Sequence, residues 1–330
     1  MKPRILRLCQ SILSRPTAPG FEDLTAEAVR AELRSVRARV KTDRGGNFFA
    51  RVGRGRPAFI FCSHLDHPGF ALRRRSGRAW EAEFLGGLGR EWFRAGTRIV
   101  FFEPDGSIAG RGAILETRGT WPRDKRVRVR PLSGELRRGL FGMWDLPAMR
   151  QSGARIHSRA CDDLIGCVAI VGALQELAKR GLPGAALLTR REEIGLCGAF
   201  EVARSRLLPA NVPVISIETS KELCNARQGD GPIVRVGDRS SIFSPEITGR
   251  LCAKARILSN DRAGFRWQRR LMDGGTCEAT AFYEKGRPAS GLCIALGNYH
   301  NAGSNGRVRA ENVHLQDLLD LVELLIALGR

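Results

Sequence analysis

The stretch from Phe59 to Phe70, FIFCSHLDHPGF, decides how this chain is read. Its apolar opening, Phe59 to Cys62, has the length and composition of a buried strand, and Pro68-Gly69 breaks the pattern. Between them lie His64, Asp66 and His67, so two of the chain's 5 histidines fall within four residues. One histidine at a strand end is commonly a satisfied core residue. In an open α/β sheet, however, the C-terminal ends of strands form the edge where ligands bind. The reading therefore turns on whether other strands deliver similar groups.

The surroundings have the texture of such a sheet. Upstream, TAPGFEDLTAEAVRAELRSV (17–36) turns at Pro19-Gly20 and then spaces Leu24, Ala28, Val29, Leu33 and Val36 as in a helix starting at Glu22 or Asp23. RVKTDRGGNFFARVGRGRPAFIFCSH (39–64) reads as three strands separated by glycine-rich turns. Far downstream, ACDDLIGCVAIVGALQELAKRG (160–181) predicts a helix over about 162 to 180. GAALLTRREEIGLCGAFEVARS (184–205) predicts a buried strand and then a helix, and VPVISIETS (212–220) and GLCIALGNYH (291–300) predict two more buried strands. ENVHLQDLLDLVELLIALG (311–329) predicts a closing amphipathic helix of about 17 residues. The fold class expected is α/β, with a mixed, mostly parallel sheet sandwiched by helices.

Residues 70–155 differ. Short alternating runs such as AWEAEFLG (79–86) and KRVRVRPL (125–132), and a hairpin signal at Pro104-Asp105-Gly106, predict a small β-barrel-like insert. The expected division is a catalytic domain over 1–69 and 156–330 with the β-rich, dimerisation-type domain over 70–155. Trp80, Trp92, Trp121 and Trp144 fall within the insert, either in its core or at an interface.

Composition bounds the function. The 9 cysteines are odd in number and never spaced C-x-x-C, which excludes a disulfide framework or zinc ribbon and fits a reducing, cytoplasmic setting. No run of 18 apolar residues and no signal-peptide h-region is present, so no membrane association is expected. Net charge is +20, with a pI near 10.8. A polyanion partner such as nucleic acid is the first thing such a balance raises, but the arginines are spread through every segment, as on a solvated surface.

Residues able to hold a metal recur at the ends of apolar strands or the start of a helix: His64 and Asp66, Asp162 and Asp163, Glu192 and Glu193, Glu218, and His300. Each has an ordinary reading. Asp162-Asp163 has the form of a helix N-cap, and Glu192-Glu193 would repel unless a cation such as Arg190 or Arg191 compensated them. Taken together, carboxylates mixed with imidazoles suit zinc, cobalt or manganese better than calcium or structural zinc.

The order of motifs resembles the M42 family of metallo-aminopeptidases, which includes glutamyl and tetrahedral aminopeptidases. APGFED, TDRGGNFFA, SHLDHPG, ACDDLIGC, TRREEIGLCGA, GPIVRVGD, Gly274-Gly275-Thr276 and NYH carry the resemblance across nearly the whole chain. It implies two divalent metal ions per subunit, zinc or cobalt with manganese as an alternative. His64 and Glu218 would hold one, Glu193 and His300 the other, and Asp162 would bridge them. It further implies Glu192 as general base, Asp66 as the carboxylate that orients His64, short peptides as substrates, and homo-oligomers from dimer to dodecamer built through the insert.

The sequence departs from the family pattern at His67 after Asp66, at Glu218 and Cys277 where aspartates are common, and in NYHNAG before the last helix. Two rivals follow. One is a metal-dependent deacylase or carboxypeptidase-like hydrolase on the same scaffold; the other is an inactive basic binding protein. The basic balance also implies attraction for acidic peptides.

Overall fold

Strand and helix alternate to build one eleven-stranded sheet, and the computed structural model describes all of residues 1–330. The chain opens with α1 (Lys2–Leu13), α2 (Asp23–Arg34), β1 (Arg39–Thr42), β2 (Phe48–Val52) and β3 (Ile60–His64). Six strands follow: β4 (Gly69–Ser76), β5 (Ala79–Leu85), β6 (Arg98–Phe102), β7 (Ile108–Arg118), β8 (Arg126–Gly134) and β9 (Phe141–Trp144). The chain then returns to the large sheet through β10 (Arg150–Ser152) and β11 (Arg155–Ser158). Next come α3 (Leu164–Lys179), β12 (Gly184–Thr189), α4 (Cys197–Ala203), β13 (Val214–Lys221), β14 (Ile233–Gly237) and α5 (Pro245–Asp261). Last are β15 (Gln268–Leu271), α6 (Glu278–Glu284), β16 (Ala289–Gly297), β17 (Glu311–His314) and α7 (Leu315–Leu328).

The strand order is β1-β2-β12-β3-β13-β16-β17-β11-β10, with β14 also paired to β16 and β15 paired to β14. The four central strands β12, β3, β13 and β16 run parallel, and antiparallel strands flank them. Alternate side chains feed two cores, as the pleat requires. Phe61, Leu188 and Ile217 join α1, α3 and α7 on one face, while Cys62, Leu187 and Val214 join α4 and α6 on the other. Each fully buried Leu, Ile or Phe in these layers contributes about 1.5–3 kcal/mol relative to exposure. Parallel alignment has one consequence for function: β3, β12, β13 and β16 all end at the same edge.

Strands β4 to β9 close into a separate barrel, in the order β4-β5-β8-β7-β6-β9. Its interior is aromatic: Phe70, Phe84, Phe93 and Trp144 lie with ring centroids 4.8 to 6.2 Å apart. Trp144 is buried, and Trp80, Trp92 and Trp121 pack half-buried against this cluster. Trp144 thus belongs to the barrel's core, while the other three lie at its margin, partly buried and partly exposed.

The structure departs from the sequence reading at one strand and four helices. The segment Glu311–His314 is not the first turn of the closing helix but strand β17, paired to β11 and β16. Helix α7 is correspondingly shorter, at 14 residues. Helix α1 was unread because its charges interleave with Ile5, Leu8, Cys9, Ile12 and Leu13, which nevertheless form one buried stripe. Helix α5 carries the signature of a helix start, since Ser244 accepts from Ile247 N–H and Pro245 follows it, and the short α6 was likewise unread.

Candidate metal centre

Asp162 has one carboxylate oxygen toward each of two histidines. Its Oδ1 lies 3.6 Å from His64 Nε2 and its Oδ2 3.6 Å from His300 Nε2. Glu218 Oε2 and Glu192 Oε2 stand 3.9 Å from His64 Nε2, and Glu193 Oε1 stands 3.2 Å from His300 Nε2. Three candidate triads result, His64/Asp162/Glu218, Asp162/Glu193/His300 and His64/Glu192/Glu193, each with its donor atoms within 4.8 Å of one another. All the expected ligands therefore meet in one place, at the end of the central strands. The neighbours of the Asp pair divide the work: Asp163 accepts from Gly166 N–H as the N-cap of α3, while Asp162 faces the cleft.

Both imidazoles are oriented by backbone. His64 Nδ1 donates to the Asp66 carbonyl at 3.1 Å, and His300 Nδ1 donates to the carbonyl of Gly87, in the loop after β5 of the barrel. Each ring thereby keeps Nε2 free for a ligand. The Asp66 carboxylate is 3.7 Å from His64, but its hydrogen bonds go elsewhere. Its two oxygens accept the N–H groups of Glu192 and Glu193, both at 3.0 Å, so Asp66 positions the pair of glutamates.

The loop bearing those glutamates is fixed from several directions. Glu22 accepts Arg191 N–H at 3.0 Å, and Asn47 Oδ1 accepts Arg190 N–H at 2.9 Å. Arg191 itself has φ 59°, a left-handed conformation that costs a non-glycine residue energy. The Arg190 side chain pairs with Glu22 and Asp23 and that of Arg191 with Glu201. Neither arginine pairs with Glu192 or Glu193, so the ordinary reading of that glutamate pair does not hold: both guanidiniums are engaged by Glu22, Asp23 and Glu201.

Sequence reasoning missed Glu311, because it was read as helix. It is fully buried; its Oε2 accepts the N–H groups of Cys161 and Asp162 and its Oε1 accepts His300 N–H. One carboxylate thus ties the Asp162 segment to His300. His67 does similar work between the same segments, bonding the Asp162 carbonyl at 2.6 Å and Asn301 Oδ1 at 3.0 Å. Left-handed backbone at Asn298, His300 and Asn301 turns the His300 ring inward. Repeated asparagine in GNYHN was the legible sign of that turn.

Electrostatically the centre is short of positive charge. Burial pushes Glu218 up to about 7 and Glu192 well above its ordinary value. Burial would push His64 and His300 down, yet the surrounding carboxylates hold both well above theirs. Burial also pushes Asp162 up, but hydrogen bonds from His300 and His64 hold it below the usual carboxylate range. Glu193 Oε1 is buried without a hydrogen-bond donor. A buried, unpartnered carboxylate oxygen among further carboxylates and imidazoles is the environment a divalent cation completes, so the donor set fits metal.

The profile of the M42 glutamyl aminopeptidase family matches residues 134–324, more than half of the chain. The chain belongs to the M42 peptidase family. A provisionally named aminopeptidase of Acetivibrio thermocellus is 22% identical over 321 residues, covering 93% of each chain. Among solved structures, a TET aminopeptidase from a marine-sediment Thaumarchaeota archaeon superposes with TM-score 0.83 at 20% identity, over 99% of this chain and 96% of that one. The TET1 peptidase of Pyrococcus horikoshii, described as assembling into a tetrahedron or a large octahedral shell, gives 0.81 at 21%, over 98% and 99%. M42 membership and the sheet-plus-barrel architecture agree.

Proposed function

We propose that this M42 protein is a two-metal aminopeptidase that removes N-terminal residues from short peptides. The observation that carries the reading is Asp162, whose two oxygens face His64 and His300 separately. On this reading His64 and Glu218 would hold one ion, Glu193 and His300 the other, and Asp162 would be shared between them. Four carboxylates, Asp162, Glu192, Glu193 and Glu218, face the cleft, and two divalent cations balance their charge. Zinc or cobalt suits the mixed oxygen and nitrogen donors, with manganese as the alternative. Bound there, the pair would supply an acidified water, polarise the scissile carbonyl and anchor the free α-amine.

The protein's own groups do the rest. Glu192 Oε2 reaches the same point as the ligand atoms, and its raised affinity for protons suits a base that takes the water's proton and returns it to the leaving amine nitrogen. Adjacent Glu193 faces His300 and is committed as ligand, and Asp66 holds the two apart through their N–H groups. Residues 1–69 and 156–330 form the catalytic unit, and 70–155 the insert. The insert also serves the site, because Gly87 orients His300. Homo-oligomers follow the shells described for the TET relatives. Nine free cysteines fit the reducing cytoplasm, and no helix is long and apolar enough to cross a membrane.

The test is hydrolysis of aminoacyl-p-nitroanilides and short peptides by metal-stripped protein, with zinc, cobalt or manganese restored. Turnover should require metal, and Glu192→Gln should lower kcat by roughly 10²–10⁴ while binding the same metal. Full activity in Glu192→Gln would remove that residue from its role. Metal binding without release of N-terminal residues would move the assignment to deacylation.

A further inference from the structure

The cleft that gathers the candidate ligands is narrow for a peptide. Its free volume is about 40 Å³, whereas hollows elsewhere on the surface measure about 330 to 520 Å³. Pockets that take small organic ligands commonly offer ~300–1,000 Å³, and a single water occupies ~10–15 Å³ of such space. Beside the ligands there is thus room for on the order of three waters.

Two features close the cleft. Tyr299 stacks on the ring of His300, with centroids 3.8 Å apart and planes at 22°, which sets the phenol in one wall. Facing it is the turn at 273–277, where two glycines let the backbone close in. A Cβ at Gly275 would lie 3.5 Å from the Tyr299 hydroxyl, and one at Gly274 would lie 3.8 Å from Lys221 Cβ. That wall is fastened from behind. The Gly275 carbonyl accepts from Arg239 N–H at 3.0 Å, Cys277 N–H donates to Asp238 at 2.9 Å, and the Thr276 hydroxyl bonds that of Ser240. Asp238 is itself buried and accepts from Ser240, Ser241 and Thr280. The lining is also polar. Besides the Tyr299 ring and the Cys277 thiol, Met272 alone offers an apolar side chain, so a long aliphatic group gains little by entering.

We propose that this enzyme removes small first residues, glycine, alanine or serine, in preference to large ones of any charge, and that the gap between Tyr299 and Gly275 sets the limit. The proposal rests on the aminopeptidase reading, which anchors the free α-amine at the metal centre and so brings the first side chain between these walls. A hydrogen or a methyl group fits there, and a side chain of leucine or glutamate length meets the fastened turn. Net charge of +20 draws acidic peptides toward the molecule as a whole, but attraction at long range does not widen the cleft.

The decisive experiment compares kcat/KM for Gly-, Ala-, Leu-, Glu- and Lys-p-nitroanilide in the metal-loaded protein. Wild type should favour Ala over Leu and over Glu by roughly 10- to 200-fold, the scale on which a pocket discriminates by methylenes. Tyr299→Ala, shown by chelator competition to hold metal as wild type does, should lower the Ala-to-Leu ratio by about tenfold or more. Gly275→Ala adds a methyl at ordinary contact distance from the hydroxyl, at a position that is not left-handed, and should lower use of Ala relative to Gly by about tenfold. Calorimetry with free glycine, L-alanine and L-leucine reads the same order without turnover. Equal use of Ala and Leu by wild type would mean that the turn yields to the substrate, overturning the proposal and leaving the aminopeptidase reading standing. An unchanged Ala-to-Leu ratio in Tyr299→Ala would also overturn it; should that variant lose metal or fail to fold, an unchanged Gly-to-Ala ratio in Gly275→Ala would do so alone. If metal-loaded wild type cleaves none of the five, the aminopeptidase reading fails and the proposal falls with it.

Discussion

Carboxylates live under opposite conditions in the two β-rich regions. In the barrel most acidic side chains find arginine: Glu81 with Arg74 and Arg126, Glu116 with Arg118 and Arg128, Asp124 with Arg126. Those hydrogen bonds hold all three below the ordinary carboxylate range. At the edge of the large sheet, Glu192, Glu193 and Glu218 crowd together beneath the surface with no arginine in ion-pair reach. The chain has 54 basic residues against 34 acidic ones, so cations were available, yet none forms an ion pair with these three glutamates. Their exclusion teaches that the cluster is not built for stability of the metal-free chain.

The strongest break of this comparison is metal removal as a function of pH. Burial pushes Glu218 from 4.5, and Asp66 from 3.8, up to about 7. Between those values the folded form retains protons that the unfolded chain releases, so stability falls as pH rises. His64 and His300, held above 6.5, act in the same direction, since their contribution is lost as pH climbs through the folded value. Asp162 has the opposite sign, but its window lies below about pH 4. The metal-free protein should therefore melt at falling temperature from pH 5 to pH 8, and saturating zinc or cobalt should remove or reverse the slope. A metal-free melting temperature that rises across this range would show that the carboxylates do not retain protons in the folded state.

A smaller effect sharpens the comparison at one residue. Glu311 is the buried carboxylate whose three partners are all backbone N–H groups, those of Cys161, Asp162 and His300. Glu311→Gln turns an amide NH₂ toward donors it cannot satisfy and loosens both the Asp162 segment and His300. Metal affinity, measured by chelator competition, should fall roughly 10- to 100-fold. Unchanged affinity would mean that His67 and Asn301 hold the two segments unaided.

How far this was legible follows from the same physics. Strand ends could be found because apolar runs of five or six residues stop abruptly at His64 and after Thr189, so the candidate ligands carried by the parallel strands were readable. Glu311 was not, because ENVH precedes an unbroken helical stripe and four residues cannot display a strand period. The arginines after β12 misled in the converse way. Adjacency to Glu192 in sequence suggested neutralisation, but both guanidiniums are engaged by Glu22, Asp23 and Glu201.

The smallest effect is expected in the barrel, where charge is paired but wet. Glu116 accepts from Arg118 at 2.8 Å and Arg128 at 3.1 Å, a geometry that looks stronger than anything at the metal centre. Its side chain is 47% exposed, so water replaces most of what the arginines offer and salt screens the remainder. Glu116→Gln should shift the melting temperature by no more than about 2 °C at pH 7. Because the pair lowers the affinity of Glu116 for protons, whatever it contributes is present above the ordinary carboxylate range and lost as pH falls below it. The slope is opposite in sign to that of the metal-free centre. A Glu116→Gln shift as large as that caused by metal removal would mean the barrel's surface pairs act as one network, and the contrast between paired and unpaired carboxylates would no longer separate structure from chemistry.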